Sequence, residues 1–241
     1  PFWERSQRLG VRNLCVHKGL PLGAFNERAC KPDDLEKAAQ DFPNLNFIVY
    51  HSGYRGSGFL ARGTGDRVVD RNLDDPQEIP WISDIIRILQ RNPGINNIYF
   101  ELGSTFQQLS ASNPVKCLHM LGQMIQVGGA DHILWGTDSI WGGSPQSQIE
   151  RFRRIRMTDE LRERYRYPEL TEEIKNQILG LNAARLFGVD VNAQRRAIQA
   201  DRLTQLRQEY QLDPFPSNTQ FGWVWKEQDN GEEPTVPVGQ G

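Results

Sequence analysis

The sequence predicts an α/β fold built on a parallel sheet, and three observations carry that expectation. Apolar runs of strand length alternate with segments of helical periodicity, the order that crossover connections between parallel strands require. Three of these runs end on a side chain able to bind metal: residues 11–16 lead to His17, 45–50 to His51, and 133–135 to Gly136, Thr137 and Asp138. His17 and His51 lie 34 residues apart, one strand and helix unit, and Asp138 follows His51 by 87, two longer units. In parallel α/β folds reactive groups gather at the carboxyl ends of strands, so side chains distant in sequence can converge there.

Each element follows from local chemistry. After His17 comes a Gly/Pro loop over 19–23, and Pro32 with Asp33 and Asp34 then favours a helix running to about Phe42. Pro43 and Asn44 end it, and the second strand reaches His51. A loop rich in glycine and charge runs from Ser52 to about Glu78, far beyond the usual connection of about 2–6 residues, and such loops are usually functional. Residues 80–89 have helical periodicity, and 96–102 read as the third strand, with Glu101 near its carboxyl end. A helix over 114–127 carries Val115, Leu118, Leu121 and Ile125 and is closed by Gly128 and Gly129, after which the fourth strand delivers Asp138. Helices are expected over 146–156, 171–187 and from 191 to about 210, with no further strand. The last stretch, 213–241, has four prolines and an acidic segment and reads as a tail, leaving 1–212 as one domain.

Composition narrows the function. With 38% hydrophobic and 24% charged residues in 241, the chain has the makeup of a globular domain with a sizeable core. A formal net charge of -2 gives no field that would draw nucleic acid or an anionic membrane, and no apolar run approaches the roughly 18 residues of a membrane span. The Arg-rich run 151–156 is followed by Asp159, Glu160 and Glu163 and reads as a solvated helix face. Lys18 also reads as solvated. Cys15, Cys30 and Cys117 have no C-x-x-C spacing, so neither a disulfide framework nor a cysteine zinc site is indicated, and a reducing, cytoplasmic setting is expected. The partner expected is a small-molecule substrate.

Two imidazoles and a carboxylate at strand ends suit a borderline divalent metal such as zinc. The motifs around them, 16–19 (Val-His-Lys-Gly), 50–53 (Tyr-His-Ser-Gly), 134–138 (Leu-Trp-Gly-Thr-Asp) and 178–188 (Ile-Leu-Gly-Leu-Asn-Ala-Ala-Arg-Leu-Phe-Gly), taken in this order, resemble the metal-dependent amidohydrolase superfamily, in particular its amidohydrolase-related group, which includes aminocarboxymuconate-semialdehyde decarboxylase and related decarboxylases. The resemblance spans about 2–189. It implies a TIM (β/α)8 barrel in which His17 looks like the strand-five ligand, His51 the strand-six histidine and Asp138 the strand-eight aspartate.

The family's opening His-x-His pair occurs nowhere in the sequence, and His119, on a helix, and His132, at a strand start, are poor substitutes. The chain therefore looks like strands five to eight with the closing helices, and a missing amino-terminal half, or a second copy of the chain, is expected to complete the sheet. The resemblance implies a metal set of His17, His51 and Asp138, with Asp138 as base and His51 as ligand or substrate polariser; Arg55, Glu101 and Trp141 are weaker substrate-contact candidates, and no organic cofactor is expected. The function expected is a metal-dependent hydrolase in which activated water attacks a C–N or C–O bond. The alternatives are a non-oxidative decarboxylase of an aromatic or unsaturated acid on the same site, or a catalytically incomplete barrel piece with a role in assembly.

Overall fold

Four strands, β1 (Asn13–Val16), β2 (Asn46–Val49), β3 (Ile98–Glu101) and β4 (Ile133–Leu134), pair in sequence order into one parallel sheet. The computed structural model that shows this describes residues 2–21, 25–56, 75–139, 144–199 and 201–212. It divides into two units, 1–189 and 190–241.

In the first unit, α1 (Phe2–Arg8) precedes β1; α2 (Glu27–Cys30) and α3 (Leu35–Asp41) connect β1 to β2; and α4 (Ile82–Arg91) lies between β2 and β3. The chain passes from β3 to β4 through α5 (Gly103–Ser112) and α6 (Pro114–Gly128), then continues through α7 (Pro145–Arg154), α8 (Asp159–Tyr165), α9 (Glu172–Asn176), a π turn over Gln177–Leu181, and α10 (Asn182–Leu186). The helix starts follow from caps: Asn113 accepts from the Lys116 amide with Pro114 in the first turn, and Ser144, Thr158 and Thr171 cap α7, α8 and α9. The helices α5 and α8 were not expected from periodicity.

The sheet sorts its side chains by the two-residue period of a strand. Phe47, Val49, Ile98, Phe100 and Ile133 face one way and share a core with Ile82, Ile85, Leu89, Leu121 and Met124 of α4 and α6. Ile48, Tyr99 and Leu134 face the other way and form a smaller cluster, against which Ala183 and Leu186 of α10 pack. Complete burial of Phe47 and Phe100 contributes about 1.5–3 kcal/mol each. The buried Asn182 amide fastens α10 to the start of β4, donating to the carbonyls of Ala130 and Ile133, both at 2.8 Å. From the other edge, the Asn13 amide donates to the carbonyl of Leu186 at 2.9 Å.

Three sequence expectations need correction. The fourth strand keeps only two residues on the ladder, Ile133 and Leu134, and Asp138 follows four residues later with φ at 52°. Lys18 is not solvated: its ammonium bonds the Ala29 carbonyl at 2.9 Å and pairs with Asp34 at 2.7 Å. In the second unit, the helix expected over 191–210 is two helices, α11 (Val191–Ile198) and α12 (Arg202–Leu212), because Asp201 accepts from the Thr204 amide at 2.7 Å and starts a new one. The proposed tail over 213–241 lies outside the described residues. Among those described, no helix is long and apolar enough to cross a membrane.

Candidate active site

The carboxyl ends of the four strands converge on one cavity of about 870 Å³. His17 enters one residue beyond β1, and His51 sits in a tight 3-10 turn over Tyr50–Gly53 just after β2; their rings meet edge to face, centroids 5.0 Å apart. His51 (φ 55°), Ser52 (φ 53°) and Asp138 (φ 52°) all adopt the left-handed conformation that costs a residue with a side chain roughly 1–3 kcal/mol. Local bonds hold the His51 turn in place. Glu101 accepts the His51 amide at 3.1 Å, Thr105 donates its hydroxyl to the His51 carbonyl at 2.6 Å, and Ser52 donates to the Glu101 carbonyl at 3.0 Å.

Glu101 is the hub of this end of the sheet. Its other carboxylate oxygen accepts the Gly103 amide at 2.9 Å, so both oxygens are committed to backbone. Burial pushes its carboxyl above the usual range and Asp138 adds to the rise, against the two amide bonds that favour the charged form. Gly103, with φ at 41°, lets the chain pass the imidazole, since a Cβ there would stand 2.5 Å from His51 Nδ1.

Ser104, the second residue of α5, touches both histidine and aspartate. Its amide donates to His51 Nδ1 at 3.3 Å, and its hydroxyl donates to Asp138 Oδ2 at 2.5 Å. Burial first, and the neighbouring His17 second, push His51 down to about 4, with Asp138 pulling the other way. The ring is therefore neutral near pH 7; with Nδ1 accepting, its proton sits on Nε2.

The rest of the described lining is largely apolar and aromatic, with Phe25, Ile48, Tyr50, Leu134, Trp135 and Phe187, and Phe25 meets the His17 ring edge-on at 5.3 Å. Of the residues expected at the site, His17, His51, Asp138 and Glu101 line the cavity. Arg55 does not appear among the described lining residues: its guanidinium pairs with Glu27 at 2.7 Å and lies over the Trp81 ring. Trp141 lies outside the described residues. His119 is buried in α6 with its ring against the Tyr167 hydroxyl, and His132 bonds the Asn96 carbonyl at the opposite end of the sheet, so both are structural.

By donor chemistry, two imidazoles and a carboxylate suit a divalent cation. By position they fall short of a full set: among the described residues, no group of three or more His, Cys, Asp or Glu is gathered closely enough to hold a metal ion. Ser104 meanwhile bonds His51 Nδ1 and one Asp138 oxygen.

A family model described as amidohydrolase matches residues 1–189. The chain belongs to the amidohydrolase family. No curated protein matches this chain. Among solved structures, it is similar to a candidate 2-pyrone-4,6-dicarboxylic acid hydrolase from Pseudomonas putida, at 15% identity and a TM-score of 0.42, covering 79% of this chain and 68% of that one. It is also similar to a 2,6-dihydroxybenzoate decarboxylase from Rhizobium, at 20% identity and a TM-score of 0.43, covering 79% of this chain and 55% of the decarboxylase. The amidohydrolase family is generally metal-dependent. Sequence reasoning found the family but missed Ser104, whose only local signal is its place in the first turn of α5, three residues after Glu101.

Proposed function

We propose that residues 1–189 form the carboxyl-terminal part of a metal-dependent amidohydrolase barrel that hydrolyses a C–N or C–O bond in a small molecule. The observation that carries this reading is the arrival of His17, His51 and Asp138 at one cavity from three different strands. His17 and the Asp138 oxygen not engaged by Ser104 would hold the metal, with further ligands from outside the described residues. When bound, such an ion lowers the pKa of water toward about 7 and polarises the bond under attack. Asp138 would accept the proton of the attacking water. His51, neutral with its proton on Nε2, suits donation to the substrate oxygen better than metal ligation, for which the ring has no lone pair at that nitrogen.

Among the described residues the sheet ends at β1 and β4, and these two edges support a second sheet half, from the rest of a longer chain or a second copy, as the completion of the barrel. The aromatic wall of Phe25, Tyr50, Trp135 and Phe187 also suits a planar unsaturated acid, which favours decarboxylation as the second reading.

Elemental analysis of the purified chain, before and after chelation, tests the first claim. Near one equivalent of metal, lost in His17→Ala and Asp138→Ala, supports it; a folded wild-type chain that takes up no zinc after reconstitution sinks it and leaves the assembly role. Candidate esters, amides and unsaturated acids, assayed for released alcohol or amine against carbon dioxide, separate hydrolysis from decarboxylation.

A further inference from the structure

We infer that Ser104 is a positioning residue that sets the two reactive groups of this site together, its hydroxyl aiming Asp138 and its amide fixing which nitrogen of His51 carries the proton. The inference rests on the proposed reading of Asp138 and His51 as the reacting pair.

The geometry behind it has two independent parts. A backbone amide can only donate, so the 3.3 Å contact from Ser104 N makes His51 Nδ1 an acceptor and leaves the proton of the neutral ring on Nε2. A serine hydroxyl has one proton to give, and at 2.5 Å it is given to Asp138 Oδ2. Because one residue supplies both contacts, the first turn of α5 ties the aspartate and the imidazole to one another.

That placement needs an external hold. Asp138 and His51 each sit in a left-handed backbone conformation that their own local sequence disfavours, and they approach from β4 and β2, which do not pair with one another. Ser104 reaches both because α5 starts immediately after β3, the strand lying between them. The Glu101 carboxylate on the Gly103 amide holds that first turn against the sheet. Loss of the hydroxyl would free the Asp138 carboxylate to rotate while leaving the His51 amide contact in place, so Ser104→Ala separates the two functions.

The experiment uses the whole metal-free chain, labelled with nitrogen-15 and carbon-13, and then the same protein titrated with Co²⁺ alone. A scalar coupling across the hydrogen bond from the Ser104 nitrogen to His51 Nδ1, with the proton on Nε2, is expected in both wild type and Ser104→Ala. The Asp138 carboxyl carbon should shift in Ser104→Ala and return in Ser104→Thr. Co²⁺ affinity should fall about 10- to 100-fold in Ser104→Ala, with an altered visible spectrum, and recover in Ser104→Thr.

A merely structural serine would lower the melting temperature and leave the cobalt spectrum and the Asp138 resonance where they were. That result, or a proton found on His51 Nδ1, overturns the inference while the metal reading stands. Should the wild-type chain bind no cobalt, the metal reading fails instead, and the Asp138 shift and the His51 coupling still decide the role of Ser104.

Discussion

A Cβ placed on Gly136 would stand 1.4 Å from Oε1 of Glu101. The side chain at the end of β3 thus occupies the space that any residue but glycine would need just after β4, and this close approach brings the Asp138 turn against the His51 turn.

Gly136→Ala is therefore expected to destabilise the chain by about 1–3 kcal/mol, the usual range for overpacking, as read from urea unfolding. The double variant Gly136→Ala with Glu101→Ala, in which the carboxylate no longer fills the space, should lose less than the two singles added together. Strict additivity would show that the two residues do not compete for that space.

Stability of the metal-free protein should fall in mild acid. The fold holds His51 at about 4 against an ordinary 6.5, so the folded state binds the proton less well than the unfolded chain does. Its contribution is then complete above about pH 6.5, declines as pH drops toward 4, and levels off below that, a total of about 3 kcal/mol by linkage. Burial also lowers His119, with the same sign. Unfolding free energies of wild type, His51→Gln and His119→Gln between pH 7 and 4 would check this. An unchanged slope in His51→Gln would rule out the assignment.

Arg55 is expected to matter for stability rather than for substrate affinity, because its guanidinium is spent on Glu27 and Trp81. A double-mutant cycle with Arg55→Ala and Glu27→Ala should give a coupling of about 1 kcal/mol, within the range of contacting pairs. A rise in KM in Arg55→Ala with unchanged stability would return the residue to the substrate.

Asn182 explains one residue of the 178–188 motif. Its amide satisfies two carbonyls at the entry to β4, so Asn182→Ala should cost about 1–3 kcal/mol. Asn182→Asp, which keeps the shape but faces the same carbonyls without a donor, should cost at least as much. Urea melts that leave Asn182→Asp as stable as wild type would contradict the clamp.

The sequence by itself determined the parallel α/β order and that His17, His51 and Asp138 follow three strands, because strand and helix periods are local and an apolar run marks where a strand lies. It also carried the family, through motifs spread over the first 189 residues. Only the tertiary structure decided what those groups do to one another. Glu101 is legible as a strand-end acid, yet that both its oxygens serve backbone amides depends on a histidine 50 positions away and on Gly103. Arg55 reads as a substrate-contact candidate until Glu27, 28 residues earlier, is folded against it. Ser104 joins Asp138 and His51 across separations of 34 and 53 residues, and no periodicity records such contacts, since they are fixed by strand order and by the start of α5 rather than by any neighbour in the chain.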